Sequence, residues 1–183
     1  MPEHIIEIPL DRDLPLIPVF VIPYLLWFAY IAAGLIYVGH RSKENYYKLV
    51  MFLGAGMSLA YMLYMLFPNA VSIRPAITGN DPFSWALKIV YKFDTPTNVC
   101  PSVHVINSVA VTAAIIHTWE GRKRAVVKAA AISFCAIICM STVFIKQHSV
   151  VDVVCGLIVG AVFYVSLYKM NFPRSAPGFR GAE

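Results

Sequence analysis

Charged residues are scarce in this chain. Asp, Glu, Lys and Arg make up only 14% of its 183 residues, whereas a soluble domain contains about 25%. Hydrophobic residues make up 58%, and the mean hydropathy is +0.66. Because so few charges cannot form the polar surface of a soluble protein, the composition predicts an integral membrane protein.

Cysteine is scarce as well, and its four positions have neither metal-ligand nor disulfide spacing. Cys135, Cys139 and Cys155 lie inside apolar runs, where a cysteine packs as a small hydrophobe. Cys100 follows a polar segment, and we interpret it as a packing residue too. The cysteines therefore predict neither a metal site nor a disulfide framework.

A basic segment is missing from the N-terminus, so no cleavable signal peptide is expected. Its place is taken by acidic residues: Glu3, Glu7, Asp11 and Asp13. The net charge of +5 is attributed to basic loops beside a membrane, and nucleic-acid binding is not expected.

Five uncharged or nearly uncharged runs predict an all-α, polytopic helix bundle with about five transmembrane helices. The runs are 16–39, 49–67, 102–119, 129–145 and 150–168. The third and fourth are short, so their ends are expected at headgroup depth. In the polar linker before the third run, Phe83–Phe93 has the pattern of a short interfacial helix. We expect a single membrane domain over 1–183.

The basic residues divide unevenly between the two sides of such a bundle. Ten fall on one side: Arg41, Lys43, Lys48, Arg122, Lys123, Arg124, Lys128, Lys169, Arg174 and Arg180. Five fall on the other: Arg12, Arg74, Lys88, Lys92 and Lys146. The positive-inside rule then predicts a cytoplasmic C-terminus and an outer N-terminus.

Two histidines and one carboxylate stand at the starts of apolar runs on the predicted outer side. His148 and Asp152 are four residues apart and share one helix face, so the carboxylate can orient the imidazole and leave its other nitrogen as a nucleophile. Ser102 is expected to cap the third helix, and His104 on its first turn is placed to act as an acid. Ionisable groups at such positions are usually functional.

Cations on the same side favour an anionic ligand. Arg74 can hold a phosphate bidentately, and Lys146 adds positive charge two residues before His148. His104, His148 and Asp152 form a set that can also bind a divalent ion, but the neighbouring cations argue against it. Neither a metal nor another cofactor is therefore expected.

These strings resemble the motifs of the type 2 phosphatidic acid phosphatase superfamily. Pro101-Ser102-Val103-His104 matches its Pro-Ser-x-His motif, and Arg74-Pro75 resembles the end of Lys-x6-Arg-Pro. Ser141, followed by His148 and Asp152, resembles Ser-Arg-x5-His-x3-Asp.

The resemblance implies a metal-independent enzyme with a catalytic core at 68–168. In that family the third-motif histidine attacks phosphorus, which makes His148 the nucleophile and Asp152 its support. His104 is then the acid for the leaving group, and Arg74 and Ser102 bind phosphate. Two family cations are missing, because Phe67 and Thr142 occupy their positions. Lys146 or Lys92 is a candidate substitute.

Three functions are consistent with this pattern. The first is a membrane phosphatase that hydrolyses lipid phosphates or prenyl diphosphates through a phosphohistidine at the outer face. The second is a lipid phosphotransferase resembling the inositol phosphorylceramide and sphingomyelin synthases, in which a lipid hydroxyl replaces water. The third is a non-catalytic lipid-binding protein. The expected partners are the bilayer and a membrane lipid substrate, and a homo-oligomer is left open.

Overall fold

The computed structural model describes residues 4–170. Its elements are β1 (His4–Ile5), α1 (Pro9–Asp13), a 3₁₀ turn (Pro18–Phe20), α2 (Val21–Arg41), α3 (Lys43–Leu66), β2 (Asn69–Ala70), α4 (Pro82–Phe93), α5 (Val103–Thr118), α6 (Arg124–Phe144), α7 (Val150–Tyr164) and a π-helical turn (Val165–Lys169). The all-α bundle predicted from the sequence is confirmed. Glu3 of the acidic N-terminus, and Arg174 and Arg180 of the basic C-terminal tail, lie outside the described residues.

Four helices of the described part are long and apolar enough to cross a membrane: α2 with its 3₁₀ turn, α3, α6, and α7 with its π-helical turn. The fifth, α5, has only 16 residues, or about 24 Å at 1.5 Å per residue, against a hydrocarbon core of about 30 Å. It forms the centre of the bundle and packs against α2, α3, α6 and α7. Because the other helices shield it from lipid, α5 need not span the whole hydrocarbon layer.

Two helices begin earlier than the apolar runs indicated. α3 starts at Lys43, since Ser42 caps it by accepting a hydrogen bond from the Asn45 amide and the Glu44–Lys48 pair stabilises its first turns. α6 starts at Arg124 and has 21 residues, so the expectation that the fourth span is short is wrong. Charged turns that extend a helix beyond the membrane lie outside the apolar run, so the run does not reveal them.

The amphipathic helix expected in the linker is α4. Asp81 caps it by accepting from the amides of Phe83 and Ser84, and Ser84, Leu87 and Val90 are buried. The opposite face exposes the large apolar side chains of Trp85, Ile89 and Phe93, and Phe83 is exposed in the first turn. An apolar face without a protein partner is typical of a helix that lies in the headgroup region.

The N-terminal segment pairs with the linker that joins α3 to α5. β1 pairs in parallel with β2, with His4 opposite Asn69. The fully buried Asn69 amide then accepts from the amides of Val99 and Cys100, both at 2.9 Å, and donates to the Cys100 carbonyl. Asn69 therefore fixes the loop that leads into α5.

Candidate active site

His104 and His148 meet at one end of the bundle. The Nδ1 atom of His104 lies 3.3 Å from Nε2 of His148, and the side chains belong to the first turn of α5 and the loop before α7. Both residues are nearly buried, with exposed fractions of 7% and 6%. A phosphorus atom with its oxygens does not fit between two nitrogens in hydrogen-bonding contact, so a phosphate must separate the rings to reach both.

Asp152 lies behind His148 on the side away from His104. Its Oδ2 atom is 3.4 Å from Nδ1 of His148 and accepts from the Ser149 amide at 2.8 Å. The Ser149 hydroxyl accepts from the Val151 amide and also from the Asp152 backbone amide, and the second bond completes a capping box at the start of α7. With Nδ1 of His148 directed to a carboxylate, the Nε2 lone pair is the one that faces His104.

Ser102 precedes α5, as the sequence predicted, but its hydroxyl does not cap the helix. The hydroxyl oxygen is buried and has no hydrogen-bond partner within the described residues. The Ser102 amide donates to the Asp152 carbonyl at 3.1 Å, which ties the start of α5 to the first turn of α7. The hydroxyl therefore remains as an unpaired donor at the start of α5.

Arg74 lies next to the loop that carries His148. Its guanidinium donates to the Gln147 side chain and to the carbonyls of Asp94 and Tyr91, and it stacks 4.5 Å from the centre of the Tyr91 ring. Burial lowers the pKa of Arg74, while Tyr91 and Asp94 oppose that shift. The buried Nε atom has no partner in the described part of the chain, so it is a second unpaired donor.

Lys146 is held by the N-terminal segment. Its ammonium donates to the backbone carbonyls of Asp11 and Leu14, and burial lowers its pKa while the charges of Asp11 and Asp13 raise it. Asp11 also accepts from the Val150 amide at the start of α7. These bonds hold the ammonium against α1 and anchor the turn before His148.

The positions of the two missing family cations carry other contacts. The ring of Phe67 stacks on His4 at 3.9 Å between centroids, and the Thr142 hydroxyl donates to the Cys139 carbonyl. Lys92, the other candidate substitute, lies 5.7 Å from the Phe93 ring centroid. Within residues 4–170, these contacts therefore place no cation at either position.

Two residues beside the histidines left no signal in the sequence. The rings of Tyr24 and Trp27 lie 4.7 and 4.4 Å from that of His104, and the Trp27 indole donates to the His104 carbonyl. Tyr24 also donates to the Asp94 carboxylate and accepts from Gln147. Aromatic residues are common near membrane interfaces, so nothing marked these two on α2 as neighbours of the site.

Cys100 is an uncharged neighbour of Asp152. Burial, then the Asp152 carboxylate and Cys155, raise the pKa of the Cys100 thiol. A thiol with a raised pKa is a poor nucleophile, in keeping with the packing role expected from the sequence. Within residues 4–170, no group of three His, Cys, Asp or Glu side chains is arranged to hold a metal ion.

Comparison with known families shows which family these site residues belong to. Residues 49–176 match the model of the PAP2 superfamily, which covers more than half of the chain and includes the Arg74, His104 and His148 strings. The chain belongs to the PAP2 superfamily. No curated protein and no solved structure matches the chain.

Membership confirms the resemblance drawn from the motifs. PAP2 proteins are phosphatases or phosphotransferases that act on phosphate esters, and the apolar helices fit an integral membrane protein. The matched range begins within α3, so Tyr24 and Trp27 of α2 lie before it. These aromatic contacts to His104 come from a part of the chain that the PAP2 model does not include.

Proposed function

We propose that this PAP2 protein is a membrane phosphatase that hydrolyses lipid phosphates or prenyl diphosphates through a phosphohistidine on His148. The proposal rests on the contacts that join His104, His148 and Asp152. One nitrogen of His148 faces a carboxylate and the other faces a second histidine. An oriented base beside a second acid–base group is the arrangement that nucleophilic catalysis requires.

The proposed reaction has two steps. Nε2 of His148 attacks phosphorus, the bond to the leaving oxygen breaks, and His104 gives that oxygen a proton. Water then attacks the phosphohistidine while His104 takes a proton from it, which releases inorganic phosphate and restores both histidines. Asp152 stabilises the positive charge on His148, while Arg74 and Ser102 hold the phosphate oxygens.

The phosphate pocket is supported by the two unpaired donors. Arg74 Nε and Ser102 Oγ are buried without partners in the described structure, and each can donate to a phosphate oxygen. Lys146 was predicted to belong to this pocket, and its bonds to α1 favour a role in anchoring the loop instead.

We also propose that the pocket faces the outer side of the cell membrane. The charge asymmetry of the loops supports this orientation, with an outer N-terminus and a cytoplasmic C-terminus. The substrate head would then be processed in the outer leaflet.

Phosphotransfer to a second lipid is the alternative function, and two apolar cavities favour it. One of about 340 Å³ lies beside Cys100 and Pro101, and another of about 380 Å³ lies beside Tyr24 and Asp94. A transferase needs places for a donor and an acceptor chain, and the low exposure of the histidines limits access of water.

A lipid-panel assay separates these functions. The purified protein is incubated, in the presence of a chelator, with phosphatidic acid, a prenyl diphosphate or the phosphodiester lipid phosphatidylinositol, with and without diacylglycerol or ceramide as acceptor. Release of inorganic phosphate without acceptor supports hydrolysis. A new phosphodiester that forms only with acceptor and a phosphodiester donor supports transfer. Full turnover by both His148→Ala and His104→Ala would contradict either mechanism.

A further inference from the structure

A second group of aromatic and basic residues lies at the end of the bundle opposite the histidine pair. His117, in the last turn of α5, pairs through Nε2 with the Tyr164 hydroxyl at 3.2 Å and stacks on Tyr168 at 4.6 Å between centroids. Lys48 and Lys169 lie over the rings of Tyr168 and Tyr164 at 5.4 and 5.9 Å. We call these five residues the His117 cluster.

A polar pocket of about 260 Å³ adjoins this cluster. Its lining comes from the end of α2, the start of α3 and the end of α5: Tyr37, Arg41, Ser42, Asn45, His117, Thr118, Trp119 and Glu120. The volume is several times the roughly 30 Å³ that one water occupies in the liquid. Tyr37 and Trp119 stack at 5.5 Å on one wall, and such aromatic pairs are typical of headgroup depth.

Two buried hydroxyls at this end lack partners. Neither Thr118 Oγ1 nor the Tyr168 hydroxyl has a hydrogen-bond partner in the part of the chain that the structure describes. Thr118 lines the pocket, and Tyr168 belongs to the adjoining cluster. Buried hydroxyls are normally paired, so two unpaired donors beside one pocket indicate a ligand that accepts hydrogen bonds.

The charge at this end indicates that the ligand is an anion. Four cations lie within electrostatic reach of the His117 ring: Lys48, Lys128, Lys169 and Arg124. Arg41 lines the pocket itself. The acids nearby are Glu120 in the lining and Glu44, which pairs with Lys48 at 2.8 Å. Positive charge therefore remains in excess around the pocket.

An apolar groove leads away from the cluster along the bundle. α6 and α7 each pack along α5 but make few contacts with each other, which leaves a groove of about 490 Å³ between them. Tyr164 lines this groove and also belongs to the His117 cluster. A hydrocarbon chain in the groove would thus lie next to an anionic group at the cluster.

We propose that the His117 cluster and its pocket bind the phosphate headgroup of an anionic membrane phospholipid, whose chain occupies the groove between α6 and α7. This site is separate from the histidine pair and lies at the other end of α5. The unpaired hydroxyls and the cations hold the phosphate, and the apolar groove distinguishes a lipid from a soluble phosphate.

Native mass spectrometry in a zwitterionic detergent tests this proposal. The His148→Ala background prevents turnover, so the result does not depend on the proposed catalytic function. Phosphatidylglycerol is expected to remain bound in preference to phosphatidylcholine. The double variant Lys48→Gln/Lys169→Gln should weaken phosphatidylglycerol binding about 25-fold, since each basic residue near a lipid surface contributes about fivefold.

The matched control is Lys43→Gln/Arg122→Gln, which removes two exposed charges from the same end of the bundle and should retain binding. Thr118→Val keeps the side-chain shape and every charge, so weaker binding in this variant supports the pocket even if the double variant unfolds. Equal affinity for the two lipids, or equal losses in the two double variants, would overturn the proposal. A rise in thermal stability with inorganic phosphate but not with phosphatidylglycerol would also overturn it, because the ligand would then be a soluble anion.

Discussion

The Oδ2 atom of Asp152 contacts Nδ1 of His148 and also accepts from the Ser149 amide at the start of α7. Asp152→Asn keeps an acceptor for the Ser149 amide, so the helix start should remain intact. The variant loses the negative charge that stabilises a cationic His148. We expect kcat to fall by about 10²–10⁴-fold, the range for a group in acid–base catalysis, while thermal unfolding changes little. Turnover equal to wild type would show that the carboxylate only caps the helix.

Arg74 is bound in a planar arrangement that lysine cannot reproduce. Nη2 of the guanidinium donates to the Gln147 side chain and the Asp94 carbonyl, and Nη1 donates to the Tyr91 carbonyl. Nε remains unpaired within the described residues, and an ammonium offers no such planar set of donors. Arg74→Lys should therefore lower kcat/KM by about tenfold or more, in line with the loss of one charge-assisted hydrogen bond. Lys92→Gln is the control, and steady-state kinetics should place it within about twofold of wild type. The opposite ranking would make Lys92 the phosphate cation.

At the scale of the helices, Gly156 of α7 lies against the start of α5. A Cβ atom there would lie 2.9 Å from the Ser102 carbonyl oxygen and 2.9 Å from Val105 Cβ. Gly156→Ala should push α7 away from Ser102, destabilise the protein by about 1–3 kcal/mol as overpacking does, and reduce turnover. Gly54→Ala is the matched control, because nothing lies within 4 Å of its added carbon. Equal unfolding temperatures for the two variants would contradict this close contact.

The position of α4 depends on its cap. Hydrogen bonds from the Ser84 hydroxyl and amide, and from the Phe83 amide, lower the pKa of Asp81. Because the folded pKa is the lower one, this stabilisation is present above the ordinary carboxyl pKa and is lost as pH falls through the lowered value. Asp81→Ala should speed amide exchange in Pro82–Phe93 near neutral pH, with the difference from wild type shrinking in strong acid. Asp13→Ala should leave exchange in α4 unchanged. A difference in exchange rate that does not vary with pH would mean that the charge of Asp81 does not contribute to the cap.

For the whole molecule, the sequence was most informative where residues must tolerate a membrane. Long apolar runs specify helices almost regardless of context, so the helices and the amphipathic α4 were predictable. Placing a polar group in lipid costs free energy, so polar residues beside apolar runs are rare. His104 and His148 were recognisable for this reason. The span of α6 was underestimated because its first turn is charged and lies outside the apolar run.

Contacts between distant segments could not be predicted in the same way. Nothing in a list of aromatic residues indicates that Tyr24 and Trp27 lie against His104, because that contact depends on how α2 packs on α5. The bonds from Lys146 to α1 likewise depend on the return of the N-terminal segment to the linker. The single domain over 1–183 and the catalytic core at 68–168 stay predictions.

The most direct test of the catalytic account is to trap the covalent intermediate. Protein is mixed with a lipid phosphate labelled at phosphorus, quenched rapidly under alkaline conditions and digested, and the labelled peptide is sequenced by mass spectrometry. The account predicts label on His148 and none in His148→Ala. Label on His104, or full turnover by His148→Ala, would contradict it.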